Sequence, residues 1–173
     1  LQSGSKGLLM LINSEYLKEL SDEEFLKVAT PFFEKSKVYG KYDLLQLSAL
    51  LKTRIEILSE IPEKIDFLEE FGEFDSSLYF HKKMKTDSEI AKTVLPLARK
   101  KIADLKEFTF DSVHDAMMEL VQELGVKNGQ VFWCVRVAIS AKESTPGGVM
   151  EIAELLGKEE TLRRLDFSIE LLN

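Results

Sequence analysis

The sequence is short of the residues that build covalent or metal-held scaffolds. Cys134 is the one cysteine, so no intramolecular disulfide can form, and a reducing compartment is expected. The two histidines, His81 and His114, have no cysteine or second histidine at ligand spacing, which argues against a zinc site. Apolar runs are short: Val131 to Ala141 is broken by Arg136, and Leu8 to Ile12 is too brief for a secretory signal, so no membrane partner is expected. There is no glycine-rich phosphate loop and no Gly-x-Ser-x-Gly elbow. Glu69/Glu70 and Glu159/Glu160 are neighbours in sequence, expected to face different sides of a helix, so neither is a candidate acid/base pair. No catalytic residue is assigned. Basic charge is also in deficit, 23 Lys+Arg against 30 Asp+Glu, which excludes indiscriminate phosphate binding.

What is present is a foldable chain of 173 residues, 45% hydrophobic and 31% charged, enough for one medium domain or two small helical ones. The start, Leu1-Gln2-Ser3-Gly4-Ser5, has no initiator methionine and is expected to be an excision from a longer chain. Charge is laid out in blocks. Residues 56–75 carry 1 basic and 8 acidic groups, 81–106 carry 8 and 3, and 107–126 carry 0 and 5. A basic segment therefore lies between two acidic ones.

The periodicity is helical throughout, with no solenoid repeat and no low-complexity tract. Ser21-Asp22-Glu23-Glu24 forms a capping box before Phe25, Val28 and Ala29, and Pro31 is expected to end or kink that helix near Ala29. Leu44, Leu47, Leu51, Ile55 and Leu58 predict a helix over 42–59, stopped by Pro62, with a short acidic helix over 63–70. Aperiodic Gly72 to Ser77 is the expected boundary, giving domains 1–75 and 76–173. Beyond it, Asp87 to Leu105 is helical. Thr109 caps a helix faced by Val113, Ala116, Met117, Leu120, Val121 and Leu124 and stopped by Gly125, and Gly125 to Gly129 is a turn.

Val131-Phe132-Trp133-Cys134-Val135 alone would pass for a buried strand. With no second strand to pair it, 130–141 is a helix, in which Cys134 and Trp133 are core. Ser144-Thr145-Pro146-Gly147-Gly148 is a loop, and helices over 149–156 and 158–172 close the chain. The fold class is all-α, in two consecutive helical bundles.

The most distinctive stretch runs from Gly125-Val126-Lys127-Asn128-Gly129 through Arg136-Val137-Ala138-Ile139 and Thr145-Pro146-Gly147-Gly148 to Leu155-Leu156-Gly157-Lys158-Glu159 and Arg164-Leu165. It resembles the end of bacterial-type glutamyl-tRNA synthetases. There a Gly-x-Lys-x-Gly turn, an Arg-x-Ala-(Leu/Ile) helix, a Thr-Pro-Gly or Gly-Pro loop and a Leu-Leu-Gly-Lys-Glu segment follow in this order. Upstream, Asn13-Ser14-Glu15-Tyr16 is similar to that family's Trp-x-Asn-Gly-x-Tyr segment, with Leu11 in place of the tryptophan and Ser14 in place of the glycine. Arg54 to Leu58 followed by Ile61-Pro62-Glu63-Lys64 resembles its middle helical region. Trp133-Cys134-Val135 departs from the family's usual Pro-Leu pair. Lys82-Lys83-Met84-Lys85-Thr86 is similar to a Lys-Met-Ser-Lys-Ser loop but lies on the wrong side of the Asn-x-x-Tyr segment, and is taken as chance in a basic loop.

The resemblance implies a stem-contact remnant with a first helical anticodon-binding subdomain, then a second, C-terminal one. It implies binding of tRNA(Glu) by a monomeric, cytoplasmic class I ligase that uses ATP and Mg in a catalytic domain upstream of this sequence; the chain itself is expected to hold no cofactor and no metal. By position, Arg136 matches the arginine that reads an anticodon base, Thr145 and Pro146 the loop pair on the central and first bases, and Gly148 the next contacting position. Arg54 matches the position that contacts the third base.

Elementary chemistry fits those roles. Unstacked bases are read by hydrogen bonds to their edges, Arg136 offers a planar donor fork, Thr145 a hydroxyl, Pro146 a rigid apolar face, and Gly147-Gly148 a backbone that can be approached closely. Taken alone, each residue also has a structural reading: Arg136 as an ion-pair partner, Thr145-Pro146-Gly147 as a cap and turn, Arg54 as a surface charge. The ordered match is what turns them toward RNA. Lys82, Lys83, Lys85, Arg99, Lys100 and Lys101 could neutralise phosphates or form a solvated face. The competing function is a helical protein-interaction module using the 42–59 helix, which requires an exposed apolar stripe there. DNA binding is not expected, because the last helices lack a basic recognition face.

Overall fold

The structure, a computed structural model, describes residues 14–173. The N-terminal pentapeptide, the 8–12 apolar stretch, Leu11 and Asn13 lie outside the described residues. The chain divides into two compact units, one ending at Glu70 and the other spanning Phe71–Asn173. The segment from Phe71 belongs with the second unit because Phe71 packs edge-on against Phe167, with ring centroids 5.5 Å apart, and Phe74 lies against Tyr79. Those aromatic contacts are non-local and cannot be seen in an aperiodic sequence.

In the first unit, residues 14–19 are helical, followed by α1 (Asp22–Glu34), α2 (Leu44–Leu51), a 3-10 turn (Leu58–Glu60) and α3 (Ile61–Glu69). Ser21 caps α1 as expected, its Oγ accepting from Glu24 N at 3.1 Å. Pro31 does not end α1, which continues to Glu34. The proline ring and the Lys27 carbonyl it leaves unbonded lie on the exposed side, while fully buried Phe33 holds the following turn to the core.

The predicted 42–59 helix is cut short at Leu51. Arg54 N and Ile55 N both fold back onto Leu51 O, at 2.8 and 3.2 Å, and the turn buries Ile55. Apolar spacing persisted through that turn, so periodicity overshot. Pro62 starts α3 instead of stopping a helix, in a first turn where its missing N–H costs nothing. Leu47, Leu50 and Leu51 of α2 are buried, so the apolar stripe required of an interaction helix is used inside the unit. Glu69 and Glu70 do not diverge: Glu69 accepts from Lys37 N and Glu70 pairs with Lys37 Nζ at 2.9 Å.

The second unit contains a 3-10 turn (Ser76–Tyr79), α4 (Ser88–Ala103), α5 (Phe110–Leu124), α6 (Asn128–Ser140), α7 (Val149–Leu156) and α8 (Lys158–Leu172). Among the described residues the extended pairing is the isolated bridge between His81 and Thr86, and the architecture is all-α. Asp87 caps α4 through Ile90 N, and Thr109 and Ser112 cap α5 reciprocally. α4 crosses α5, α6 and α8 and buries Ala91, Val94, Leu95, Ala98 and Ile102 against them. Full burial of a Leu or Ile side chain contributes about 1.5–3 kcal/mol, which makes this seam the hydrophobic centre of the unit.

α6 is a helix, and nearly all of its second half is buried. It begins at Asn128, earlier than the expected turn allowed, so Gly129 is helical; a Cβ there would collide with Met84 Sδ. Cys134 is buried, accepts or donates a 3.1 Å contact with Thr86 Oγ1, and burial pushes its thiol up to about 11. Trp133 is half-buried, not core: its Nε1 donates to Leu78 O at 3.0 Å and its ring meets His81 edge-on. No helix of the described residues is long and apolar enough to cross a membrane.

Candidate nucleic-acid interface

The predicted residues of the second unit converge on the corner between α6 and α7. Arg136 lies one turn from the end of α6. Ser140 Oγ donates to Arg136 O at 2.6 Å and accepts from Lys142 N at 3.1 Å, while Ala141 turns the chain through left-handed geometry, φ 56°. This closes the helix and sends residues 142–148 back past the Arg136 side chain. The guanidinium donates from Nη1 to Glu143 O, a long 3.4 Å contact. No carboxylate of the described residues pairs with it, and burial alone pushes its pKa below the ordinary guanidinium value. A half-buried donor fork with most of its N–H groups uncommitted can donate to an incoming acceptor.

The other arginines of this unit are spent. Arg99 pairs with Asp166 at 2.9 Å, and Arg163 and Arg164 both meet Glu160, at 2.6 and 2.9 Å. The ion-pair reading of Arg136 is thus not what the geometry supplies.

Within the loop, Thr145 Oγ1 donates to Gly147 O at 2.8 Å, leaving the hydroxyl lone pairs as acceptors. Gly147 sits at φ 107°, a conformation that requires glycine. Pro146 and Gly147 are buried, so the exposed apolar face expected of Pro146 is turned into the protein. The free backbone N–H expected of Gly148 is also taken: it donates to Glu151 Oε1 at 3.0 Å as α7 begins. Pro146 and Gly148 shape the loop, while Arg136 and Thr145 carry its available polar groups. Arg54 lies in the other unit, exposed, with Nη1 donating to Leu50 O at 2.8 Å and closing the end of α2.

The basic side chains sort cleanly. Arg99 is bound to Asp166, and Lys101 to Glu119 and Glu123 at 3.0 and 2.9 Å. These partners lie far off in sequence, so no local pattern reveals them. Lys82, Lys83, Lys85 and Lys100 stay exposed. A second feature missed in the sequence is an aromatic line beside Arg136. Phe132, one helical turn away, lies 6.3 Å from His114, whose ring is parallel to Phe110. Among the described residues no cluster of three or more His, Cys, Asp or Glu side chains could hold a metal ion.

A family model described as an anticodon binding domain matches residues 24–169. The chain is 48% identical over 164 residues to a glutamate–tRNA ligase of Clostridium tetani, covering 95% of this chain and 33% of that protein. It is 46% identical over 167 residues to the corresponding Clostridium novyi enzyme, covering 95% and 34%. The chain therefore spans about a third of the length of these curated relatives. Among solved structures, a glutamate–tRNA ligase of Elizabethkingia meningosepticum, in complex with its amino acid, superposes with a TM-score of 0.76 at 24% identity, covering 95% of this chain and 32% of that one. The glutamate–tRNA synthetase of Elizabethkingia anophelis gives 0.70 at 23%, covering 93% and 31%. At that identity the structures speak for the fold, which agrees with the helical bundles found here, and the resemblance first carried by residues 125–165 extends over nearly the whole chain. The chain belongs to the anticodon-binding domain family.

Proposed function

We propose that this chain is the anticodon-reading part of a glutamate–tRNA ligase and recognises the anticodon loop of tRNA(Glu). The observation that carries the reading is Arg136, a half-buried guanidinium with no carboxylate partner among the described residues, held against a loop that presents the Thr145 hydroxyl. Single-stranded RNA loops are read in this way, through hydrogen bonds to splayed bases. Thr145 and Arg136 make base contacts; Pro146 and Gly148 set the loop's path. Arg54, bound to its own helix end, contacts the third base with the donors that remain.

In the parent enzyme, glutamate would be joined to tRNA in the cytoplasm using ATP and Mg, by residues outside this chain. The fragment acts as a monomer and selects tRNA over DNA. The test is a fluorescence titration with transcribed tRNA(Glu) and with the same tRNA altered at each anticodon position. Altered anticodons should bind about tenfold or more weakly, since each lost bidentate base contact costs about 1–3 kcal/mol. Equal affinity for all of them would refute base reading.

A further inference from the structure

The segment between the 3-10 turn and α4 forms a short hairpin whose tip is basic. His81 N donates to Thr86 O at 3.0 Å and Thr86 N to His81 O at 3.3 Å, while Lys85 N closes onto Lys82 O at 3.3 Å. Between these bonds stand Lys82, Lys83, Met84 and Lys85, all exposed.

The hairpin is fixed to α6 at successive points. His81 lies against Trp133, and Thr86 Oγ1 meets Cys134 Sγ. Gln130 Nε2 donates to Lys85 O at 2.7 Å, and Met84 covers Gly129 where no Cβ could fit. Lys85 is held at φ 53°, the left-handed region that a residue with a side chain enters only at a cost. Gln130 pins the strained carbonyl, so the fold maintains this conformation and keeps the lysine outward. Lys127, also exposed, immediately precedes α6 beside it.

None of these four lysines has an ion-pair partner among the described residues, whereas Lys101 and Arg99 on α4 are neutralised by Glu119, Glu123 and Asp166. The nearest carboxylate in sequence, Asp87, is occupied in capping α4 through Ile90 N, and Glu89 pairs with Lys92. In a chain of net charge -7 this is a local concentration of uncompensated positive charge.

We propose that Lys82, Lys83, Lys85 and Lys127 hold the phosphodiester backbone of the RNA strand whose bases are read at Arg136. The two sites share one helix. Gly129 and Arg136 are separated by about 10 Å at 1.5 Å per residue, the length of roughly three stacked nucleotides. A strand that places a base at the α6–α7 corner can thus lay neighbouring phosphates across the hairpin. Its contribution is independent of sequence, and the base contacts supply selection. This rests on the anticodon reading above.

The experiment measures binding of the full chain to transcribed tRNA(Glu) between 50 and 200 mM salt, comparing wild type with a K82Q/K83Q/K85Q/K127Q variant. All four positions are exposed, and circular dichroism checks that the fold is kept. Each single-strand phosphate contact contributes about 0.7 to the slope of log affinity against log salt, so the slope should fall by about 3. Over this range the wild type should lose about 50-fold more affinity than the variant, while discrimination between native and altered anticodons stays the same. An unchanged slope with intact discrimination overturns the phosphate surface and leaves the anticodon reading standing. A reduced slope without discrimination in either protein retains the surface and refutes the reading. Loss of binding to phosphatidylserine vesicles with an unchanged tRNA slope assigns the lysines to a membrane and overturns the proposal.

Discussion

Replacing Arg164 with alanine is expected to destabilise the second unit by roughly 3–4 kcal/mol. Arg164 is buried to 1% exposure, and each part of its side chain is engaged. Nε donates to Glu160 at 2.9 Å, Nη1 donates to Ile139 O at 2.8 Å, and the guanidinium lies 4.4 Å from the Phe71 ring centroid. One turn along α8, Ser168 Oγ donates to Ala138 O at 2.6 Å. Ala138 and Ile139 belong to the last turn of α6, whose carbonyls have no partner within their own helix. Two side chains at i and i+4 of α8 therefore cap the end of α6, and the cation faces the negative end of its dipole.

Alanine would leave a buried carbonyl unpaired, at about 1–3 kcal/mol, and would forfeit the ring contact and the packing of a long side chain. Trp133 lies in this unit and reports it in urea unfolding followed by fluorescence. At about 2 kcal/mol per molar urea the midpoint should fall by about 1.5–2 M. Arg164→Met restores volume but not the donor and should recover only part of the loss. A midpoint for the alanine variant within about 0.3 M of wild type would mean that the network contributes little.

The same network predicts an acid limb. Hydrogen bonds from Arg163 and then Arg164, working against burial, hold Glu160 down at about 2. A carboxylate lowered on folding stabilises the protein fully above its ordinary value of 4.5, and that contribution is lost as pH falls from 4.5 toward 2. Over this window the wild-type midpoint should drop more steeply than that of Glu160→Gln, measured by Trp133 fluorescence; parallel curves would exclude Glu160 as a source.

A feature of this chain is legible in its sequence where the contact that decides it is local. α5 was fully legible because Thr109, the apolar face from Val113 to Val121 and left-handed Gly125 are its own start, side and stop. α6 could be told from a strand by the lack of any pairing partner. Pro31 did not end its helix because it lies on an exposed face while the opposite face is buried, and tertiary burial outweighs one lost hydrogen bond; Pro96, likewise exposed, sits inside a helix that the apolar spacing of 87–105 had already carried across it. The second half of the predicted 42–59 helix failed for the converse reason: Ile55 is apolar because its turn is buried. At the candidate site the corner bearing Arg136 and Thr145 was marked by ordered motifs. The burial of Pro146 had no sequence signal. The capture of the Gly148 N–H did have one, since Glu151 stands three residues on, at the spacing of a capping carboxylate.

Arg136→Ala should abolish most of the chain's preference for the native anticodon while leaving its salt dependence nearly intact. The guanidinium is half-buried and, among the described residues, has a single long contact to Glu143 O and is linked to no carboxylate, so its removal breaks little that holds the protein together. The end of α6 is closed instead by Ser140, Ala141 and the donors from α8. Stability by Trp133 fluorescence should therefore change by less than about 1 kcal/mol, in contrast to Arg164→Ala. Loss of a bidentate base contact should weaken tRNA(Glu) by about 10–100-fold and leave a base-substituted tRNA almost unaffected. Arg136→Lys keeps the charge but not the planar fork, and should fail to restore discrimination. Because one charge is removed, the salt slope should change by no more than about 1, against about 3 for the hairpin lysines. If Arg136→Ala instead weakened every tRNA equally and lowered stability as Arg164→Ala does, its guanidinium would be a structural element of the α6–α7 corner and base selection would have to come from Thr145 or from Arg54.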